Sequence, residues 1–152
     1  MKYRILCGVV VCLAFGACMT VAPKPRQIQS SFPMDKPFDT VWTAVIETFA
    51  EMNLPILNME KVSGLITTDW IQLDDPEASD CGTVDIFSQE EGRRVKFNIF
   101  VKTVGDACEL KVNAMFDLLF SSYGNKMVQT SSCVSTGKFE KEIYDRVVAK
   151  AK

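Results

Sequence analysis

Phe38, Val41, Trp42, Val45, Ile46 and Phe49 recur at the i, i+3, i+4, i+7, i+8, i+11 spacing that lines one side of an α-helix. Asp39 stands where a carboxylate can cap the first free amides, and Asn53 with Pro55 two residues on marks a stop, so the spacing predicts a helix over 39–53. The period then shortens. Two β-prone runs, 56–62 and 64–72, flank Ser63-Gly64 and predict a tight hairpin; in the second, Ile66, Thr68 and Trp70 alternate with Leu65, Thr67, Asp69 and Ile71. A turn-rich stretch over 73–80 precedes a third predicted strand over 82–89, which Glu90-Glu91-Gly92 is expected to turn into a fourth over 93–103. There Val95, Phe97, Ile99 and Val101 alternate with Lys96, Asn98, Phe100 and Lys102, the mark of an antiparallel strand with one buried face. Gly105-Asp106 turns again into 107–119, with Cys108, Leu110, Val112, Ala114 and Phe116 on one side and Glu109, Lys111, Asn113 and Asp117 on the other. Residues 121–132 read as a polar connection carrying a short edge strand around 127–130.

The chain closes with a predicted helix over 136–150 whose apolar seam is Phe139, Ile143 and Val147, with Tyr144 and Val148 beside it and Ser135 or Thr136 as N-cap. Lys138–Glu142, Lys141–Asp145 and Glu142–Arg146 are opposite charges spaced i, i+4 on its wet side. The order is helix, about five antiparallel strands, helix. An α+β fold follows, with a curved antiparallel sheet packed against an N-terminal and a C-terminal helix in one domain over 38–152.

The first residues follow another pattern. Met1-Lys2-Tyr3-Arg4 is cationic, and the 13 residues from Ile5 to Ala17 are apolar, within the ~7–15 of a secretory signal core and short of the ~20 needed to span a bilayer. Leu13-Ala14-Phe15-Gly16-Ala17-Cys18 resembles a lipobox, the recognition sequence of bacterial lipoproteins, with Phe15 standing where that pattern usually has Leu. The resemblance implies that 1–17 is a cleaved signal peptide and that Cys18 becomes the acylated, palmitate-bearing first residue; the alternative is a plain secretory signal cut elsewhere. Cys7 and Cys12 lie inside the apolar run and read as bulk hydrophobes. Several acyl chains, at ~0.8 kcal/mol per buried methylene, make attachment effectively permanent. Residues 18–37 hold Pro23, Pro25, Pro33 and Pro37 among polar residues and are expected to be an extended tether that holds the domain off the membrane. Met19 is not the Asp that retains many such proteins in the inner membrane, so the resemblance points to the outer membrane, with the domain facing the periplasm.

Charge and composition narrow the chemistry. Without Lys2 and Arg4, 15 basic residues face 19 acidic ones, and no Lys/Arg stripe could neutralise phosphates, which argues against nucleic acid as a partner. Histidine is absent, which removes the His-based triads, His general bases and the commonest metal ligand. Neither an enzyme nor a cofactor is expected. Asp74, Asp75, Glu77 and Asp80 cluster in a loop that lacks the glycine turn and spacing of known Ca²⁺ loops, and a solvated loop is the expectation. Trp42 and Trp70 are both expected in the core rather than as sugar platforms.

Phe38-Asp39-Thr40-Val41-Trp42-Thr43-Ala44-Val45, followed by Ser63-Gly64-Leu65-Ile66-Thr67-Thr68-Asp69-Trp70, resembles the opening of BamC-like lipoprotein domains, where an F-D-x-V-W helix leads into a hairpin with G-x-I-x-T-D/E. Cys133-Val134-Ser135-Thr136-Gly137-Lys138-Phe139-Glu140 is similar to the C-terminal signature of small envelope lipoproteins of this type. The two blocks span roughly 38–72 and 133–148. The resemblance implies a helix-grip fold and an envelope protein partner. BamC itself has two such domains and a long N-terminal segment lying along its partner, whereas one domain and a short tether are read here, so fold and compartment carry over better than a role in outer-membrane assembly.

In an exported chain Cys81, Cys108 and Cys133 could form a disulfide. Cys81 and Cys133 lie at element ends and are the expected pair, stabilising by roughly 2–4 kcal/mol. Cys108 lies on a strand's apolar set and reads as a buried hydrophobe; three reduced thiols or a pair through Cys108 are the alternatives. Two functions are in view. One is a membrane-anchored, non-enzymatic interaction module of the cell envelope, accessory to outer-membrane protein assembly. The other is a carrier holding a lipid or other small apolar ligand between sheet and helix, a space that Phe87, Phe97, Phe100 and Phe116 are bulky enough to fill.

Overall fold

The computed structural model describes residues 20–152. Their elements run β1 (Ser31–Met34), α1 (Phe38–Glu51), β2 (Ile56–Glu60), β3 (Leu65–Thr68), β4 (Ile71–Leu73), a 3₁₀ turn (Pro76–Ala78), β5 (Ser79–Asp80), β6 (Ser88–Val104), β7 (Ala107–Ser122), β8 (Asn125–Ser135) and α2 (Lys138–Lys150). The eight strands form one antiparallel sheet in the order β2-β3-β6-β7-β8-β5, with β4 continuing the β3 edge along β6 and β1 lying on β7 ahead of β8. The class is α+β, as the periodicities predict, and the helix-grip arrangement fits it.

The long β6–β7 hairpin is the spine. Its register sets Val95 opposite Phe116, Phe97 opposite Ala114, Ile99 opposite Val112 and Val101 opposite Leu110, so the alternating apolar positions of both strands fall on one face. That face is buried by both helices: α1 contributes Val41, Trp42, Val45 and Phe49, and α2 contributes Ile143 and Val147. Phe97 is fully buried between Phe49 and Phe139, with edge-on rings at 6.4 and 5.7 Å. Removing such a ring from water contributes about 1.5–3 kcal/mol. The predicted β2–β3 hairpin is present. Gly64, at φ 73°, turns its backbone onto β6, where Val101 N donates to Gly64 O at 2.9 Å; a Cβ on Gly64 would come within 2.0 Å of the Val101 carbonyl oxygen.

Several expectations are corrected. Glu90-Glu91-Gly92 is not a turn: the register shifts between Glu90 and Gly92, and Gly92 has φ 145°, so a β-bulge lets one strand run from Ser88 to Val104. The strand predicted over 82–89 accordingly dissolves into a loop ending at Ser88. The polar connection over 121–132 is instead the end of β7, a turn at Tyr123-Gly124 and most of β8, whose backbone pairs with β7 from Phe116 to Ser122. The 64–72 run is two strands, broken at Asp69-Trp70.

The helix ends also differ. The cap position of α1 is Pro37, with no side-chain cap, and Asp39 sits in the first turn paired with Lys61 at 2.9 Å. For α2 the cap position is Gly137 at φ 86°; Ser135 Oγ accepts from Gly137 N at 3.0 Å and donates to the fully buried Glu140 at 2.9 Å. Thr136 instead donates its hydroxyl to the carbonyl of Ala78 at 3.0 Å. Lys141–Asp145 and Glu142–Arg146 pair as spaced, at 2.5 and 2.9 Å, but Lys138 turns away from Glu142 to Asp75 at 2.6 Å.

The segment read as a tether is folded onto the domain. Phe32 and Met34 are core residues, Phe32 stacks on Tyr144 of α2 at 4.4 Å, and β1 pairs with Cys108–Lys111 of β7. Pro33 lacks a donor, and an edge strand is where such a residue can sit. The body of the protein therefore begins before residue 38.

Candidate interaction surfaces

The signal peptide and Cys18 lie outside the described residues. Cys81 and Cys133 are joined by a disulfide with Cα atoms 4.2 Å apart. Its placement follows from the sheet: Ser79 faces Ser135 and Asp80 faces Val134, so the next step of the same register sets Cys81 opposite Cys133. β5 is two residues long, too short to show a period in the sequence, and the bond closes its end onto β8. Cys108 is free and buried on the inner face of β7, where burial pushes its thiol's pKa up and keeps it in the inert form.

The chain ahead of β1 docks on the loop that this disulfide closes. Thr83 N donates to Val21 O at 2.9 Å, and Val21 N donates to Thr83 Oγ1 at 3.1 Å. Gly82, at φ 65°, makes the approach possible, because a Cβ there would come 1.9 Å from the Val21 oxygen. Asp80 holds both segments: its carboxylate accepts from Gly82 N at 2.9 Å and Lys24 N at 3.3 Å, with Arg26 at 3.9 Å. These bonds, the one from Gly82 first, hold the Asp80 carboxyl below the usual carboxylate range. Residues 21–26 are thus a docked strap rather than a free spacer.

Two of the four acids of the loop, Asp75 and Asp80, are likewise spent on structure, while the Glu77 side chain is left to solvent. Asp75 caps the 3₁₀ turn by accepting from Glu77 N at 3.1 Å, and its bond to the Lys138 ammonium, aided by that cap, lowers its pKa. Among the described residues, no three His, Cys, Asp or Glu side chains converge as a metal site would need.

Trp42 is buried on α1, as expected, but Trp70 is not in the core. It is half-buried on the outer face of the sheet, with the Arg94 guanidinium 4.2 Å and the Lys96 ammonium 5.0 Å from its ring centroid. Arg94 is held there by Asp117 across the β6–β7 ladder at 2.9 Å. The break at Asp69-Trp70 puts the indole on this side, which simple alternation could not reveal.

The space between helices and sheet is packed by Phe49, Phe97, Phe116 and Phe139 in mutual ring contact. Of the other residues expected to fill it, Phe100 is only partly buried and Phe87 points to solvent. The clefts lie at the surface. One, of about 570 Å³, runs between the 27–33 segment and the start of α2, lined by Ile28, Phe32, Lys141 and Tyr144 among others. At the far end of the spine Ile86, Phe87 and Tyr123 form an apolar tip, tied together where Tyr123 N donates to Phe87 O at 2.7 Å. No helix among the described residues is long and apolar enough to cross a membrane. Comparison of the sequence with known protein families and with curated proteins gives no match.

Proposed function

We propose that this chain is a lipoprotein of the bacterial cell envelope, anchored in the outer membrane through Cys18, whose BamC-like domain acts as a non-enzymatic protein-interaction module accessory to outer-membrane protein assembly. The observation that carries the reading is the Cys81–Cys133 disulfide. Such bonds persist in oxidising compartments such as the periplasm and are rare in the cytosol. The lipobox-like Leu13–Cys18 supplies the anchor in this reading, and the outer sheet face around the half-buried Trp70 and the clefts beside α2 supply contact area.

The carrier alternative draws less support, because the aromatic side chains fill the grip where an apolar ligand would sit. Native mass spectrometry that recovers only ligand-free protein would agree with this ranking, and a co-purified lipid would reverse it.

Metabolic labelling with an alkynyl fatty acid, followed by crosslinking and capture from solubilised envelopes, tests the main reading. The expected outcome is a labelled protein that Cys18→Ser leaves unlabelled and releases from the membrane, together with a crosslinked envelope partner. An unlabelled wild-type protein, or no partner after crosslinking, would sink it.

A further inference from the structure

Ile86, Phe87 and Tyr123 are 76%, 61% and 88% exposed, an unusual use of three large side chains at one end of a sheet. They are not loosely held. The Asp85 carboxylate accepts from Phe87 N at 2.7 Å and from Ser88 Oγ at 3.1 Å, while the Tyr123 amide bonds the Phe87 carbonyl across the hairpin. Val128, 58% exposed, extends the patch from β8, where it faces Ser121. The outcome is an apolar point on a hydrogen-bonded backbone, carrying one phenol, a composition suited to a membrane–water interface.

The path of the chain says what covers this point. Val21 is pinned to Thr83, and Thr83 lies three residues before Ile86. Cys18 lies three residues before Val21. Three residues reach at most ~10–11 Å, so an acylated Cys18 and the start of the tip each lie within that length of chain from the Val21–Thr83 pair. We infer that Ile86, Phe87 and Tyr123 rest in the interfacial layer of the same leaflet that takes the acyl chains on Cys18, so that the domain stands tip-down on the bilayer. This rests on the anchored reading proposed above. Along the chain Asp85, Glu90 and Glu91 flank the tip against the single Lys126, a net negative balance, so the surface it fits is a zwitterionic one.

The test uses the mature protein, made from the full chain and reconstituted into vesicles of acyl-brominated phosphatidylcholine. Phe87→Trp places a reporter on the tip, and Val62→Trp places one on the β2–β3 turn, where Val62 is 97% exposed. That turn packs beside Val101, 14 residues along the strand from the tip, or about 45 Å. Both sites are exposed, so neither change should disturb folding. The expected result is at least about twofold stronger bromine quenching for Phe87→Trp than for wild type, since interfacial apolar groups sit ~5–10 Å into the headgroup boundary, with no increase for Val62→Trp.

Intact-protein mass spectrometry reports the acyl chains separately. If they are present and Phe87→Trp is unquenched, the tip inference fails while the anchor stands. If Val62→Trp is quenched instead, the orientation is wrong. If the acyl chains are absent, the anchored reading fails and takes this inference with it. A photocrosslinker at position 87 that traps a protein while lipid quenching stays at background would assign the tip to a protein partner and overturn the membrane assignment.

Discussion

Replacing both Cys81 and Cys133 by Ala removes a bond that spans 52 residues of sequence. Closing a loop of that length in the denatured chain lowers its entropy by ~14 cal/mol/K on the chain-entropy relation, or about 4 kcal/mol at 25 °C. Little native packing goes with the two sulfurs: Cys81 is buried but short, and the substitution removes no backbone group from the pairing of Ser79 and Asp80 with β8. The bond's main effect should therefore appear as a change in equilibrium stability. With an m-value of ~2 kcal/mol/M, the urea midpoint should fall by at least ~2 M, with a slope that is no smaller because the unfolded chain without its cross-link is more open. Circular dichroism melts in urea, run beside a Cys108→Ala control that leaves the disulfide in place, measure this directly. A second effect is local. β5 has two residues, so without its covalent tie the loop from Asp80 to Thr83 and the strap docked on it should exchange amide hydrogens faster than the β6–β7 spine. A midpoint shift below ~0.5 M, near 1 kcal/mol, would refute the reasoning, because the cross-link would then not constrain the unfolded chain. Uniform exchange across the sheet would refute the local part.

Three further outcomes are expected. Gly82→Ala should unseat residues 21–26 without unfolding the core, since its Cβ would collide with the Val21 carbonyl; loss of protection at the Thr83 amide with an intact Val112 amide, which bonds Ser30 O, checks this. The Asp75–Lys138 pair should make the melting temperature depend on pH at both extremes. Asp75 is held below the ordinary carboxylate range by the Lys138 hydrogen bond, so its contribution is complete above that range and lost as pH falls through the lowered value. Lys138 is raised by the same bond, so its contribution is complete below the ordinary lysine range and lost as pH rises through the raised value; Asp75→Asn should flatten both arms. Cys108 should resist a thiol reagent in the folded protein and react once urea has unfolded it, because burial both shields the thiol and disfavours the thiolate; rapid labelling under native conditions would contradict its position in the core.

Periodicity carried much of the fold. The apolar stripe from Phe38 to Phe49 and the seam of Phe139, Ile143 and Val147 announced both helices, and the alternation through Val95–Val101 and Cys108–Phe116 announced the spine. In each case many apolar side chains had to fall on one side, and that requirement is written into residue spacing. The ends were less legible. Asp39 looked like a cap, but the chain enters α1 through Pro37, leaving Asp39 to pair with Lys61 on another element. The disulfide partners were legible only as residues at element ends; the register that sets Cys81 against Cys133 comes from a two-residue strand.

What the sequence determined alone is the amphipathic frame: two helices and two long strands whose apolar positions can be buried only together. Tertiary structure alone decided the rest. β8 is mostly polar and β1 carries a proline, so neither declares itself by hydropathy; each exists because β7 offers a row of backbone groups that must be paired, β1 along Cys108–Lys111 and β8 along Phe116–Ser122. The bulge at Gly92, the outward turn of Trp70 and the docking of Val21 on Thr83 have the same origin. Side-chain spacing records which face an element buries, whereas backbone pairing depends on which neighbour arrives beside it, and that neighbour is supplied by the folded chain.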